Sequence, residues 1–253
     1  MTDERVVVVA HAAAASEAAA RHIAGSLRAA VAERGRADWA TTGGSAAPGI
    51  YRHLADDPLR DEIPWAQVHV WWGDDRFVPR DHPLSNVQPL DDILLDSTPL
   101  PIANLHPFRT GEAIGASRDA ASVAAAMAAE LAAAGLPITD GFPVLDLVVL
   151  GVGGDGHILS VFPGSTAFDA EAWVVDIPAP THIEPHVARV TMHPLVVRVA
   201  RDVLVVATGA GKAEVLADIL GDGRDERRWP AQLARHGRAT WILDEAAAAR
   251  LTR

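Results

Sequence analysis

His157 follows directly on a glycine-rich run, Gly151-Val152-Gly153-Gly154-Asp155-Gly156. A histidine is the side chain that most readily exchanges a proton near neutral pH. Successive glycines let a backbone turn sharply and bring its N–H groups close to an anion or a developing oxyanion. Taken alone, the same histidine could equally cap a helix end. Gly151, Gly153 and Gly156 also satisfy G-x-G-x-x-G, but a dinucleotide fold needs an unbroken helix here and an acid ending the next strand about 20 residues on. Pro163 and Gly164 interrupt any such helix, and Glu171 precedes the next strand candidate instead of ending it. The pattern therefore argues against a nicotinamide site.

Three other stretches carry comparable chemistry. Thr41-Thr42-Gly43-Gly44-Ser45 precedes a helical pattern, so its amides and hydroxyls could cradle a phosphate at a helix N-terminus. Trp72-Gly73-Asp74-Asp75-Arg76 sets two carboxylates and a guanidinium at the end of an apolar run, followed by Ser85-Asn86. Gly209-Ala210-Gly211-Lys212 joins another apolar run to a helical one, and Lys212 is the only lysine in the chain. Where every other fixed cation is arginine, a compact ammonium fits a tight phosphate site that a planar fork would not.

The elements that must position these groups alternate. Strand patterns occur at Val6–Ala10, Trp39–Thr42, Val68–Trp72, Leu145–Gly151, Trp173–Ile177, Ala188–Met192, Val203–Thr208 and Thr240–Leu243. Helical patterns fall at Ala14–Arg34, Ala47–Leu54, Val87–Leu95, Glu112–Ala134, Leu195–Ala200 and Lys212–Leu220, and Pro79–Thr110 reads as long loops. Such alternation predicts a mostly parallel sheet covered by helices on both faces, with ligands beyond the carboxyl ends of the strands. The 253 residues, 49% of them hydrophobic, suit one domain spanning 1–253.

A net charge of −11 with no basic run argues against nucleic acid and anionic membrane as partners. The absence of cysteine excludes disulfides, thiolate zinc sites and cysteine nucleophiles, and permits a reducing cytoplasm. Val6–Ala15 has the composition of a leader core, but Asp3 and Glu4 stand where a basic flank belongs. Beyond it, no apolar run reaches the roughly 18 residues of a bilayer span. His182 and His186 have i, i+4 spacing, but Pro185 between them opposes the helix a zinc pair would use. No metal and no cofactor is expected.

Together, and in order, TTGGS at 41–45, WWGDDRFVP at 71–79, SN at 85–86, LGVGGDGHILSVFPGS at 150–165, RVT at 189–191 and GAGK at 209–212 resemble the 6-phosphogluconolactonase family. That family lies within the wider group that also contains glucosamine-6-phosphate deaminase. Three positions depart from it: Asp75 replaces the usual Glu, Gly154 the usual Pro, and Ala46-Ala47-Pro48 the usual Thr-Pro. Deaminases of the group carry Asn-Glu-Pro shortly after the histidine, the glutamate assisting ring opening, whereas this chain has Val161-Phe162-Pro163. A phenylalanine cannot move a proton, which favours the lactonase.

The resemblance implies a single-domain, three-layer α/β/α fold with a Rossmann-like sheet, and hydrolysis of 6-phospho-D-glucono-1,5-lactone in the oxidative pentose phosphate pathway. It implies His157 as general base and Asp155 as its orienting partner, with amides around Gly153 and Gly154 on the oxyanion. Arg76, Arg189 and Lys212, with Gly43, Gly44 and Ser45, are the expected phosphate contacts. Asp74 and Asn86 join them as substrate-binding residues, Asn86 holding a sugar hydroxyl. There is no G-x-S-x-G elbow, although Ser45 and Ser160 remain formally available as nucleophiles. A cytoplasmic monomer is expected. The alternatives are a sugar-phosphate isomerase or deaminase, and a non-catalytic sensor.

Overall fold

The computed structural model describes residues 4–251, so Asp3 of the leader argument lies outside it. Seven strands form the central sheet: β1 (Arg5–Val9), β2 (Ala37–Thr41), β3 (Val68–Trp72), β5 (Leu105–His106), β8 (Leu147–Gly151), β11 (Asp202–Ala207) and β12 (Ala239–Asp244). Their order is β1-β12-β11-β8-β2-β3-β5 and every pairing is parallel. Buried on both faces, β2 (ADWAT) and β8 (LVVLG) need no polar alternation, which is why the apolar runs were readable as strands. The leader-like Val6–Ala15 run is the edge strand β1 and the start of a helix.

Helix α1 (Ala12–Arg34) lies against β1, β12, β11, β8 and β2. It buries Ala15, Ala19, Ala20, Ile23, Ala24, Leu27 and Ala30, a mostly small-residue face that allows a close approach to the sheet. Gly35 ends it at φ 74°, a left-handed conformation that suits glycine, with its N–H on Val31 O. Helices α2 (Ala47–Ala55), α3 (Leu59–Glu62) and α4 (Gln88–Leu90) belong to the same side, α2 against α1 and α4 against α2. A π turn, Asp91–Leu95, continues α4. The remaining helices are α5 (Thr110–Gly115), α6 (Ala120–Ala133), α7 (Val196–Val199) and α8 (Ala213–Leu220). The result is the three-layer α/β/α, Rossmann-like arrangement that the family resemblance implies, built on the parallel sheet that the alternation predicts.

Two details depart from the sequence reading. The helical pattern over Glu112–Ala134 is two helices, because Ser117 turns to φ 53° and Asp119 starts α6 afresh by accepting the N–H of Ser122 at 2.9 Å. The strands at Trp173–Ile177 and Ala188–Met192 do form, as β9 (Val174–Ile177) and β10 (Arg189–Met192), but outside the parallel sheet. With β4 (Asp74–Arg76) they make a small antiparallel sheet ordered β4-β10-β9, against which α6 packs through β9 and β10. A short hairpin, β6 (Ile138–Thr139) with β7 (Phe142–Pro143), completes the strands.

The sheet reverses its winding between β2 and β8. From β2 the chain order runs outward through β3 to β5, and from β8 it runs the other way through β11 to β12. The two halves join through just two residue pairs, Trp39 with Leu147 and Ala40 with Val148, against five for β2 with β3. Such a reversal opens a crevice at the carboxyl ends of the strands.

Candidate active site

A cleft of about 210 Å³ occupies that crevice. It is lined by Thr42 to Ala46 after β2, Gly151 to Gly153 after β8, Ala207 and Thr208 at the end of β11, and Asp74, Arg76, Asn86, His157, Leu159, Arg189 and Lys212. Of the residues singled out in the sequence, Gly43, Gly44, Ser45, Asp74, Arg76, Asn86, Gly153, His157, Arg189 and Lys212 all meet there.

The first wall is the Thr41–Ser45 turn. The Tyr51 ring on α2 is fully buried, and its hydroxyl reaches Thr42 O at 3.0 Å and Thr41 Oγ1 at 2.8 Å, anchoring the turn to the helix it precedes. Gly44 has φ 77°, and a Cβ on Gly43 would lie 1.8 Å from Asn86 Oδ1, so the pair of glycines is required by conformation and by contact respectively. The N–H groups of Gly43, Gly44 and Ser45 donate to no backbone or side-chain acceptor among the described residues, and they stand before the N-terminus of α2. Free amides in that position favour an anion.

The opposite wall is cationic. In the β4 and β10 register Arg76 stands directly across from Arg189. Like charges opposed on adjacent strands destabilise a sheet unless something answers them. Asp74 at the start of β4 answers Arg189 in part, and Arg76 donates to Leu84 O at 2.7 Å and Arg189 to Pro185 O at 3.3 Å. The Nε atoms of both arginines and Oδ1 of Asn86 are nonetheless buried without a hydrogen-bond partner. Buried orphans are costly, so three around one cleft mark it as built for a polar ligand. Lys212, in the turn before α8, adds a half-buried ammonium whose pKa is lowered by burial against the opposing pull of Asp155.

Asp74 and Asp75, alike in sequence, differ in role. Asp74 accepts Ser160 Oγ at 2.5 Å and Asn86 Nδ2 at 3.3 Å, so Ser160, fully buried, orients a carboxylate and has no access to act as a nucleophile. Asp75 faces inward, accepting the N–H groups of Arg76 at 2.8 Å and Asn86 at 2.7 Å and the Ser85 hydroxyl at 3.3 Å. Trp72 Nε1 holds the same loop through Asn86 O at 3.0 Å. Burial pushes the Asp75 carboxyl up to about 7 in spite of those hydrogen bonds. Because the folded value lies above the unfolded value of 3.8, the protein binds the proton more tightly when folded, and the stability this gives is lost as pH rises through about 7. Asp75→Asn keeps the Oδ1 acceptor without a charge to bury. Its melting temperature should therefore gain on the parent steadily between about pH 4 and pH 7. Thermal melts across that range check this, and a difference independent of pH would refute it.

The glycine loop behaves as a rigid turn and opens no helix: the next helical residues are a 3₁₀ turn at Thr166–Asp169. His157 Nδ1 lies 2.5 Å from Asp155 Oδ1, which also accepts the His157 N–H at 3.2 Å. Burial raises the Asp155 carboxyl, but hydrogen bonds and charge from His157, with a further bond from His182, outweigh it and hold the group well below the usual carboxylate range. With Nδ1 engaged, Nε2 is the His157 nitrogen left for a ligand. A Cβ on Gly153 would lie 2.0 Å from His157 Nδ1, so the ring rests on the glycine itself. Phe162 packs against His157 with ring centroids 4.8 Å apart and carries the Arg189 guanidinium at 5.2 Å.

One sequence expectation changes. The Gly153 N–H is committed to His157 O at 2.8 Å, and Gly154 lies outside the cleft lining, so neither amide is placed to meet an oxyanion. Asp155 stands behind His157 and does not line the cleft, the position that its expected orienting role requires. The sequence reading missed His182, whose Nε2 reaches Asp155 Oδ2 at 3.1 Å, while its neighbour His186 turns Nδ1 to Pro180 O at 2.7 Å. Nothing in the spacing of residues 155 and 182 signals that contact.

Residues 10–242 match the family described as glucosamine-6-phosphate isomerases/6-phosphogluconolactonase. The chain belongs to this family. Within it, the 6-phosphogluconolactonase of Streptomyces coelicolor is 36% identical over 94% of this chain and 91% of its own. The solved 6-phosphogluconolactonase from Trypanosoma cruzi superposes with a TM-score of 0.87 at 29% identity, covering 100% of this chain and 98% of that one. A monomeric glucosamine-6-phosphate deaminase shares the fold as well, with a TM-score of 0.80 at 18% identity over 97% and 99% of the two chains. Fold alone therefore does not separate the family's two chemistries, and the side chains at the cleft must.

Proposed function

We propose that this chain is a 6-phosphogluconolactonase, hydrolysing 6-phospho-D-glucono-1,5-lactone to 6-phospho-D-gluconate. The observation that carries the reading is the pairing of a carboxylate-held histidine with an opposed pair of arginines in one cleft, with Phe162 filling the place where a deaminase would carry its glutamate. His157 Nε2 takes a proton from water as its oxygen attacks C1 of the lactone. The tetrahedral intermediate collapses with cleavage of the bond from C1 to the ring oxygen, and His157 returns the proton to that oxygen. The carboxylic acid so formed then ionises.

Arg189, carried on the same Phe162 ring that packs against His157, answers the developing oxyanion in place of the glycine amides. Arg76 and Lys212, with the free amides of Gly43, Gly44 and Ser45, then hold the phosphate, and Asn86 Oδ1 accepts a sugar hydroxyl. No helix among the described residues is long and apolar enough to cross a membrane. With no cysteine to oxidise, a cytoplasmic enzyme is the reading that suits the composition.

The deciding experiment is an assay on freshly generated phosphogluconolactone, corrected for spontaneous hydrolysis. The expected result is enzymatic ring opening without ammonia release from glucosamine 6-phosphate. Deamination without lactone hydrolysis would reverse the assignment.

A further inference from the structure

Asp155 is shared. His157 Nδ1 approaches its Oδ1 and His182 Nε2 its Oδ2, at 2.5 and 3.1 Å, so one carboxylate accepts from two imidazoles. The two differ in setting: the His157 side chain is 16% exposed and that of His182 52% exposed, on the segment between β9 and β10. The Phe162 ring holds both, tilted against His157 and edge-on to His182 at 5.3 Å. We propose that His182 is a positioning residue for the base: it fixes the second oxygen of Asp155 and draws on its charge, so that His157 stays unprotonated to lower pH. This rests on the reading of His157 as the general base.

The sign follows from what the carboxylate does. Asp155 favours the protonated form of His157 because its negative charge faces Nδ1. A second donor on Oδ2 takes up part of that charge, and a protonated His182 takes up more, so in either state His182 lowers the proton affinity of His157. The other charged groups around the trio oppose a proton on His157 or stand aside. Arg189 approaches from β10 across Phe162, and Lys212 faces Asp155 from the turn before α8. Arg76 lies beyond Arg189 on β4, while Glu184 and His186, on the His182 segment, pair with each other at 3.1 Å. None of these replaces the donor on Oδ2.

The test is an NMR titration of the His157 ring in the parent, His182→Ala and His182→Gln, run beside the pH profile of kcat/KM on the lactone. Removing the donor in His182→Ala should raise the His157 midpoint by about 0.5 to 1 pH unit and carry the acid limb of kcat/KM upward by the same amount. His182→Gln keeps an N–H at the Nε2 position and should restore most of the parent midpoint. A folded His182→Ala protein whose His157 midpoint is unchanged overturns the proposal, as does an acid limb that moves while the midpoint does not. The ring titration needs no turnover, so an absence of lactone hydrolysis by the parent would defeat the catalytic reading while the coupling was still decided.

Discussion

His157→Ala should leave a folded protein that has lost between about 10² and 10⁴ of its kcat/KM, the range a positioned general base contributes. The ring is a partly exposed side chain at the rim of the cleft, resting on Gly153 and Phe162, so its removal opens space toward the ligand and not in the core. Asp155 keeps His182 as a partner, which spares the variant an unpaired carboxylate. Ser160 cannot take over the task, because it is buried on Asp74, and neither can Phe162, which has no proton to move. Residual catalysis should come from substrate binding and the Arg189 charge, and it should lose the acid limb that His157 imposes. Steady-state kinetics corrected for spontaneous hydrolysis, with a melting curve to verify the fold, decide the matter. A rate close to the parent's removes His157 from the mechanism.

The second large effect separates recognition from chemistry. The Lys212 side chain has no hydrogen-bond or ion-pair partner among the described residues, yet it is half-buried in the cleft wall, where a charge without a partner is unfavourable. Contact with the substrate phosphate resolves this. Lys212→Ala then removes a charge-assisted hydrogen bond worth about 1.5 to 3 kcal/mol, or roughly ten-fold to a hundred-fold in kcat/KM. The loss should vanish with unphosphorylated gluconolactone, which never used the contact. Lys212→Arg is the sharper probe, since the larger planar fork must fit a turn shaped around an ammonium and should recover little in spite of its equal charge. Equal losses on both lactones would assign Lys212 to structure or catalysis.

Much of this was legible before any coordinates, for identifiable reasons. Strands buried on both faces appear as unbroken apolar runs, and β3 falls exactly where Val68–Trp72 reads. The loops at strand ends were found because glycine, histidine and lysine are conspicuous there. What escaped depends on partners distant in sequence. Nothing in Val174–Ile177 or Arg189–Met192 says which strand each will join, so the sequence reads them as strands without showing that they form a separate antiparallel sheet. Asp74–Arg76 reads as a charged cluster at a strand end, and only its pairing with Arg189, Val190 and Thr191 makes it a strand of its own. Asp74 reads as the substrate-side carboxylate of the pair, but that Asp75 is buried to hold the Ser85-Asn86 loop is visible only in the fold. His182 sits 27 residues from the carboxylate it bonds. The break before α6 was readable in principle, since Gly115 is followed by Asp119 with Ser122 three residues on.

The two-pair seam between β2 and β8 has a mechanical meaning. The strands on either side, β2 with β3 and β8 with β11, are each stitched through five pairs, but here the stitching stops at Ala40 and Val148, and the loops that leave the two parted strands are walls of the cleft. A ligand held by Gly43 to Ser45 on one side and by His157 and Lys212 on the other would therefore work as a clasp across the short seam in the middle of the sheet. The free energy of closing it adds to that of the fold, so occupancy should tighten the join between the two halves of the molecule as well as fill the space between them. In this architecture a substrate bound in the cleft would stand in for the ladder that the strands leave unfinished.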